Sequence, residues 1–179
     1  MKTTQILIAG FGGQGILFSG KFLAYKGLLD GIQVSWLPSY GPEMRGGTAN
    51  CNVILSDSPV GSPIITTPDV LIAMNLPSLQ KYVDAVAPGG QIYVDSSLID
   101  AKVERDDVEV FYIPATQMAK DNGIGTLANM IIVGHLLENN SELSFEGTSD
   151  VVEKLVPPKK AALKDLNMKA LALGRDYKN

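Results

Sequence analysis

Cysteine occurs once in the 179 residues, and so does histidine. One cysteine forms no internal disulfide, holds no iron–sulfur cluster and builds no structural zinc site. A chain without disulfides suits a reducing, cytoplasmic setting. Basic residues are also scarce: fifteen Lys and Arg stand against nineteen Asp and Glu, a net charge of −4. Nucleic-acid binders carry a basic excess or a basic stripe, so nucleic acid is excluded as a partner. No apolar stretch approaches the roughly 20 residues of a membrane helix; Met130–Val133 is typical of what is present. Lys2 ahead of the apolar run Ile6–Gly10 has the order of a signal peptide, but Gly12-Gly13-Gln14-Gly15 breaks that pattern. The P-loop G-x-x-x-x-G-K-[ST], the zinc motif H-E-x-x-H and the nucleophile elbow G-x-S-x-G are all missing.

What remains is a folding chain. Hydrophobic residues make up 45% and charged residues 19%, which is enough for a core and too apolar for disorder. The length corresponds to a single domain over residues 1–179. Strand-like and helix-like segments alternate. Gln5–Ala9 reads as a strand entering a tight turn, and Gly13 to Asp30 as a helix. Ile16, Gly20, Leu23 and Gly27 recur at helical spacing, a face that packs on a sheet with its glycines admitting close approach. Strands are expected at Ile32–Leu37, Thr48–Leu55, Asp69–Met74, Gln91–Asp95 and Val108–Ile113. Helices are expected at Leu76–Ala87, Ala115–Asp121 and Leu127–Glu138, and from Lys159 to a stop at Gly174. The alternation predicts a three-layer α/β/α domain with a mostly parallel sheet and a Rossmann-like first strand–turn–helix unit.

Two segments carry most of the chemistry. Gly10-Phe11-Gly12-Gly13-Gln14-Gly15 matches G-x-G-x-x-G between a strand and a helix. Glycines there permit positive φ and bring a ligand to backbone N–H groups at a positive helix end. The dinucleotide fingerprint also needs an acid at the close of the second strand to hold the ribose. Here that strand ends in Ser35-Trp36-Leu37-Pro38, and Asp30 precedes it. The turn is therefore open to three readings: a dinucleotide site, a site for another phosphate or carboxylate, or close packing alone. The second segment is Ser39-Tyr40-Gly41-Pro42-Glu43-Met44-Arg45-Gly46-Gly47. Its Tyr, Met and Arg are typical of interface cores, and Arg45 could grip an anion in fork geometry; a solvated loop pairing Arg45 with Glu43 fits equally well. Asn75 closes the strand Asp69–Met74, a position that often faces ligands. His135, alone on an apolar helix, and Cys51, in mid-strand, read as structural residues. No set of acid, base, nucleophile or metal ligands is visible.

These residues nonetheless resemble a known family. Gly10–Ile16, Ser39–Cys51 and Pro68–Asn75, followed by Ile113-Pro114-Ala115-Thr116, Asn129-Met130 and Leu163–Gly174, are similar in order to the gamma subunit of 2-oxoacid:ferredoxin oxidoreductases. The resemblance spans nearly the whole chain, and the long loop motif is its most specific part. It implies a complex that oxidatively decarboxylates a 2-oxoacid onto coenzyme A and passes two electrons to ferredoxin. Thiamine diphosphate, magnesium and iron–sulfur clusters would sit on other subunits, in keeping with one cysteine and no G-D-G…N stretch here. Alpha and beta subunits, and a ferredoxin-like delta subunit in some complexes, would be the partners. Relatives serve 2-oxoglutarate, branched-chain 2-oxoacids, pyruvate and aryl pyruvates; the form of Ser39–Gly47 is most like the 2-oxoglutarate branch. Gly10, Gly12, Gly13, Gln14, Gly15, Arg45 and Asn75 are then candidates to meet the phosphates of coenzyme A, with an interface role for the Ser39–Gly47 loop as the competing expectation. The alternatives from other classes are a free-standing dinucleotide-binding regulatory module and a scaffold whose glycine turn binds nothing.

Overall fold

The computed structural model describes residues 3–40 and 48–178; Arg45 and the rest of Gly41–Gly47 lie outside the described residues. In chain order the elements are β1 (Thr3–Phe11), α1 (Ile16–Leu29), β2 (Gln33–Tyr40), β3 (Thr48–Ser56), β4 (Val70–Ala73), α2 (Leu76–Tyr82), β5 (Gln91–Asp95), β6 (Glu109–Ile113), α3 (Ala115–Asp121), α4 (Ala128–Asn139), α5 (Thr148–Leu155) and α6 (Ala162–Asp176). The described strands form one sheet in the order β2-β3-β1-β4-β5-β6. β1, β4, β5 and β6 run parallel, and β3 is antiparallel to both β1 and β2. β2 therefore points the same way as β1, with the reversed β3 inserted between them. The cause is local. A parallel return needs a crossover of a dozen or more residues, and only residues 41–47 separate β2 from β3.

The two faces of the sheet are covered unequally. Ile6, Ile8, Val53, Leu55, Ile72, Tyr93 and Ile113 project into the larger core beneath α1, α3, α4, α5 and α6. Leu7, Leu71, Ala73, Ile92 and Val94 meet Leu79, Val86 and Ile99 on the other face. The strands β4 and β5 are apolar on both sides, as a doubly covered parallel strand must be.

Several boundaries differ from the sequence expectation. β2 runs on to Tyr40 rather than ending at Leu37, so Ser39 and Tyr40 belong to the strand, and α6 starts at Ala162 rather than Lys159, after a 3₁₀ turn at Pro158–Lys160. α1 starts at Ile16 rather than Gly13, because Gly13 and Gly15 have φ of 94° and 77°, which no helix accepts. The helix expected over Leu76–Ala87 gives way after Tyr82 to a 3₁₀ turn at Val83–Ala85. Gly174 does not end the last helix, which continues to Asp176. α5 was not expected; its eight residues bury only Thr148, Val151 and Val152.

α1 lies on the sheet as the spacing predicted. A Cβ on Gly20 would collide with Cys51 Sγ, and one on Gly27 would come 2.7 Å from Leu55 and 2.8 Å from Val34. α4 and α6 cross more closely still. A Cβ on Gly134 would overlap the Leu171 carbonyl, and one on Gly174 the Ile131 carbonyl.

Candidate functional site

β1, β4 and β6 end at one edge of the sheet, and the helices that follow them, α1, α2 and α3, begin there, at the edge where parallel α/β sheets bind ligands. The glycine turn occupies this edge. The Gln14 N–H donates to Phe11 O at 3.2 Å, which closes the turn. The Gln14 side chain then folds back over it. Its Oε1 accepts from the Phe11 N–H at 2.6 Å, and its Nε2 donates to Met74 O at 2.9 Å. Gln14 thus ties the end of β1 to the end of β4.

The glycines divide their work. A Cβ on Gly10 would come 2.6 Å from Gln14 Oε1, 2.7 Å from Ile16 Cδ1 and 2.9 Å from Met74 Cβ. One on Gly15 would come 2.5 Å from Asn129 Nδ2. Gly10 is glycine because neighbours press on it, and Gly15 both for that reason and for its φ of 77°. Gly13 is different: its φ is 94°, and a Cβ there would meet nothing within 4 Å. It is glycine for its conformation, and its Cα faces open space. Immediately behind it stands the N-terminus of the 14-residue α1, whose first N–H groups have no intrahelical acceptor.

Asn129, on α4, fixes this helix end from behind. Its Nδ2 donates to Gly15 O at 3.1 Å and to Ser19 Oγ at 2.9 Å. Asn75 Oδ1 caps α2 by accepting from the Ser78 N–H at 2.8 Å. Asn75 Nδ2, Ser78 Oγ and Asn129 Oδ1 are buried without a hydrogen-bond partner, so polar capacity is left over along this edge. Asp95, fully buried at the end of β5, is not spare. It accepts from Thr116 Oγ1 at 2.6 Å and from the Ser97 and Thr116 N–H groups.

Gly10, Gln14 and Asn75 are therefore brought together, with Gly13 and Gly15 beside them. Asn129, Ser19 and Ser78 complete the place but had no expected role. Asn129 stood in the sequence only as part of the Asn129-Met130 resemblance, and nothing marked Ser19 or Ser78. The strand beside the turn is β3: Phe11 pairs with Thr48 and Gly10 with Ala49. β2 lies one strand further out, so its missing ribose acid has a topological cause. Tyr40 pairs with Ala49, which brings both described flanks of residues 41–47 to the same edge.

Cys51 and His135 are structural. The Cys51 thiol, fully buried, donates to Ile16 O at 3.4 Å, and burial pushes its pKa up to about 12. His135 stands edge-on to Tyr93, Phe111 and Tyr177, with Nδ1 3.0 Å from Gly174 O. Burial holds its pKa below the ordinary value. Among the described residues no group of three or more His, Cys, Asp or Glu could hold a metal ion. No helix among them is long and apolar enough to cross a membrane. The edge has the shape to bind and orient a ligand, and the described residues bring no free acid to it.

The family model for pyruvate ferredoxin/flavodoxin oxidoreductase matches residues 5–177. The chain is 37% identical over 177 residues to the ketoisovalerate oxidoreductase subunit VorA of Methanothermobacter marburgensis, covering 98% of this chain and 37% of that one. It spans little more than a third of the VorA subunits it matches. It is 34% identical to the 2-oxoglutarate synthase subunit KorC of the same organism, over 96% of this chain and 95% of KorC. The 2-oxoglutarate:ferredoxin oxidoreductase of Magnetococcus marinus, solved with 2-oxoglutarate, coenzyme A and succinyl-CoA bound, superposes with a TM-score of 0.85 at 28% identity, covering 98% of this chain and 31% of that one. The glycine turn, the reversed third strand and the edge they build together are thus those of a chain that belongs to the pyruvate ferredoxin/flavodoxin oxidoreductase family.

Proposed function

We propose that the chain is the gamma subunit of a 2-oxoacid:ferredoxin oxidoreductase and supplies part of the cradle for coenzyme A. The observation that carries this reading is Gly13, open and at positive φ, in front of the α1 N-terminus. Backbone N–H groups and the helix dipole there favour a phosphate without any side chain. Gln14 and Asn129 hold the turn and the helix end in place. Arg45, which stands in the sequence between β2 and β3, is the candidate that would add a positive charge. The Magnetococcus enzyme, solved with coenzyme A bound, supports coenzyme A as the ligand.

Thiamine diphosphate, magnesium and iron–sulfur clusters would reside on the alpha, beta and, where present, delta subunits. The residues of this chain do not fit a cluster, since its one cysteine is buried and already hydrogen-bonded. Its part in the reaction is to bind and orient the acyl acceptor, while ferredoxin takes the electrons elsewhere in the complex. The end-to-end match with KorC favours 2-oxoglutarate as the acid, although VorA is slightly more identical over its matched region.

The test is steady-state kinetics on the assembled complex. Gly13→Asp puts a carboxylate in the phosphate's path and is expected to raise the KM for coenzyme A at least tenfold, with little change in the KM for the 2-oxoacid. Arg45→Ala is expected to raise it several-fold. Coenzyme A kinetics untouched by both changes would remove the cradle from this chain. A panel of 2-oxoacids on the same complex decides the substrate, and a preference for branched-chain acids would overturn the choice of 2-oxoglutarate.

A further inference from the structure

Between Gly10 and Gly13 the glycine turn carries one side chain, that of Phe11. Its ring is 38% exposed at the edge described above. The backbone beneath it is held on both sides. The Phe11 N–H donates to Gln14 Oε1, and its carbonyl accepts from the Gln14 N–H. A phenyl ring left partly in water on so fixed a backbone adds little to folding. Register places Phe11 on the sheet face away from α1. Ile6 and Ile8 project into the core beneath α1, and Leu7 into the core of the other face. Side chains alternate along a strand, so Leu7, Ala9 and Phe11 share that second face. Paired residues share a face as well. Thr48 stands opposite Phe11, and Asn50 opposite Ala9. Asn50 is therefore the diagonal neighbour of Phe11, at a spacing of about 7–8 Å that large side chains span. Asn52 donates to Pro63 O at 3.5 Å, and Asn75 caps α2. Asn50 is half-buried, and its amide has no hydrogen-bond partner among the described residues.

We propose that Phe11 and Asn50 are the seat of the adenine base of coenzyme A. The base stacks on the Phe11 ring, and the Asn50 amide reads its N6/N7 edge. The proposal rests on the coenzyme A reading above and names the part of the molecule that this face selects. The chemistry of the ligand ties the two places together. The 3′-phosphate and the 5′-diphosphate of coenzyme A are both carried by the ribose of its adenosine. Whichever phosphate meets the α1 N-terminus, the base is one sugar away, and Phe11 is two residues from Gly13. An aromatic face takes any base by stacking. An asparagine amide adds selection, since its oxygen accepts from the adenine N6 amino group while its nitrogen donates to N7. NAD shares the base. It lacks the 3′-phosphate, and no acid stands here to hold its ribose, so the base contact does not turn this edge into a nicotinamide-cofactor site.

The experiment is calorimetric titration of the assembled complex, kept anaerobic, with three ligands. They are coenzyme A, 4′-phosphopantetheine, which keeps the arm and lacks the adenosine, and a coenzyme A analogue with hypoxanthine in place of adenine. Phe11→Ala is expected to raise the Kd for coenzyme A by about tenfold or more and to leave that for 4′-phosphopantetheine unchanged. Phe11→Trp, which keeps a flat ring, should bind coenzyme A as wild type does. If Phe11→Ala does not assemble, Phe11→Leu replaces it with the same expectation, since leucine keeps the apolar bulk without the flat face. Wild type should prefer coenzyme A over the hypoxanthine analogue by about fivefold or more, and Asn50→Ala should bind the two alike. An equal rise in Kd for coenzyme A and 4′-phosphopantetheine with Phe11→Ala means that the ring touches the pantetheine arm, and overturns the proposal. Wild-type indifference to the base, or a preference that survives Asn50→Ala, removes the reading of its edge. Coenzyme A binding unchanged in Phe11→Ala overturns the stacking seat, and Gly13→Asp then separates the two readings. A raised Kd for coenzyme A in Gly13→Asp leaves the phosphate cradle standing without its base seat, and an unchanged Kd removes both.

Discussion

Gln14 has more to lose than any exposed residue of the site. Its amide satisfies the Phe11 N–H and the Met74 carbonyl at once, linking two strand ends. Gln14→Ala leaves both groups without that partner, and each loss of this kind costs about 1–3 kcal/mol when buried. Part of this edge is open to water, so a total near 2 kcal/mol is expected, read as a lower midpoint in denaturant with an unchanged slope. Cys51 gives a chemical prediction. With its thiol buried and its pKa near 12, it should resist a thiol reagent at pH 8 in the native state and react at once in denaturant. Labelling at the native rate of a free thiol would contradict the placement. His135 gives a pH prediction. Burial, and next the Lys178 charge, lower its folded pKa below 6.5; the Gly174 carbonyl and Glu138 pull the other way without prevailing. Below about pH 6.5 the unfolded chain takes up a proton that the folded chain refuses, so this contribution to stability is full above that pH and falls as pH drops toward the folded pKa. The difference in stability between wild type and His135→Gln should narrow or reverse between pH 7 and pH 5, and a constant difference would refute it. The roles of Cys51 and His135 were legible in the sequence, because Cys51 lies in mid-strand and His135 on an apolar helix, each with no partner for catalysis. The role of Asn129 was not, since its partners Gly15 and Ser19 are more than a hundred residues away.

At the level of elements, the sequence is most informative where one face of a helix has one neighbour. Ile16, Gly20, Leu23 and Gly27 announced the sheet-facing side of α1 by spacing alone, and the structure puts them there. Gly174 misled for an equally physical reason. Glycine near a helix end usually marks the stop, but here it is the contact point where α6 crosses α4, paired with Gly134. Nothing local distinguishes the two uses, since the difference lies on the partner helix. The crossing is testable. Gly134→Ala and Gly174→Ala each push a methyl group into a backbone carbonyl, which cannot rotate away as a side chain would. Overpacking of this kind costs about 1–3 kcal/mol, and both variants are expected at the upper end of that range. In a domain of this size that is a fall of roughly 6–12 °C in melting temperature. Gly125→Ala, where a Cβ meets nothing within 4 Å, is the control and should melt within a degree or two of wild type.

Over the whole molecule, alternation of strands and helices was enough to give the α/β class and the mostly parallel sheet, while strand order was out of reach. Order depends on which strands meet, and the residues joining β2 to β3 carry that choice only through their small number. The consequence reaches function. Inserting the reversed β3 between β1 and β2 moves the second strand away from the glycine turn. The place where a dinucleotide fold holds its ribose acid is taken by Thr48 and Ala49, paired with Phe11 and Gly10. A turn that matches G-x-G-x-x-G can then hold a phosphate but lacks the carboxylate that would select a nicotinamide cofactor. Hydrogen–deuterium exchange on the assembled complex separates these outcomes at the peptide covering residues 10–18. Saturating coenzyme A is expected to slow exchange there, because a bound phosphate occupies the first-turn N–H groups of α1, whereas NAD at the same concentration should leave the peptide unchanged. Protection by NAD equal to that by coenzyme A would mean that the turn reads phosphate alone and that topology does not set its choice of ligand. Protection by neither would leave the glycines with packing as their whole purpose.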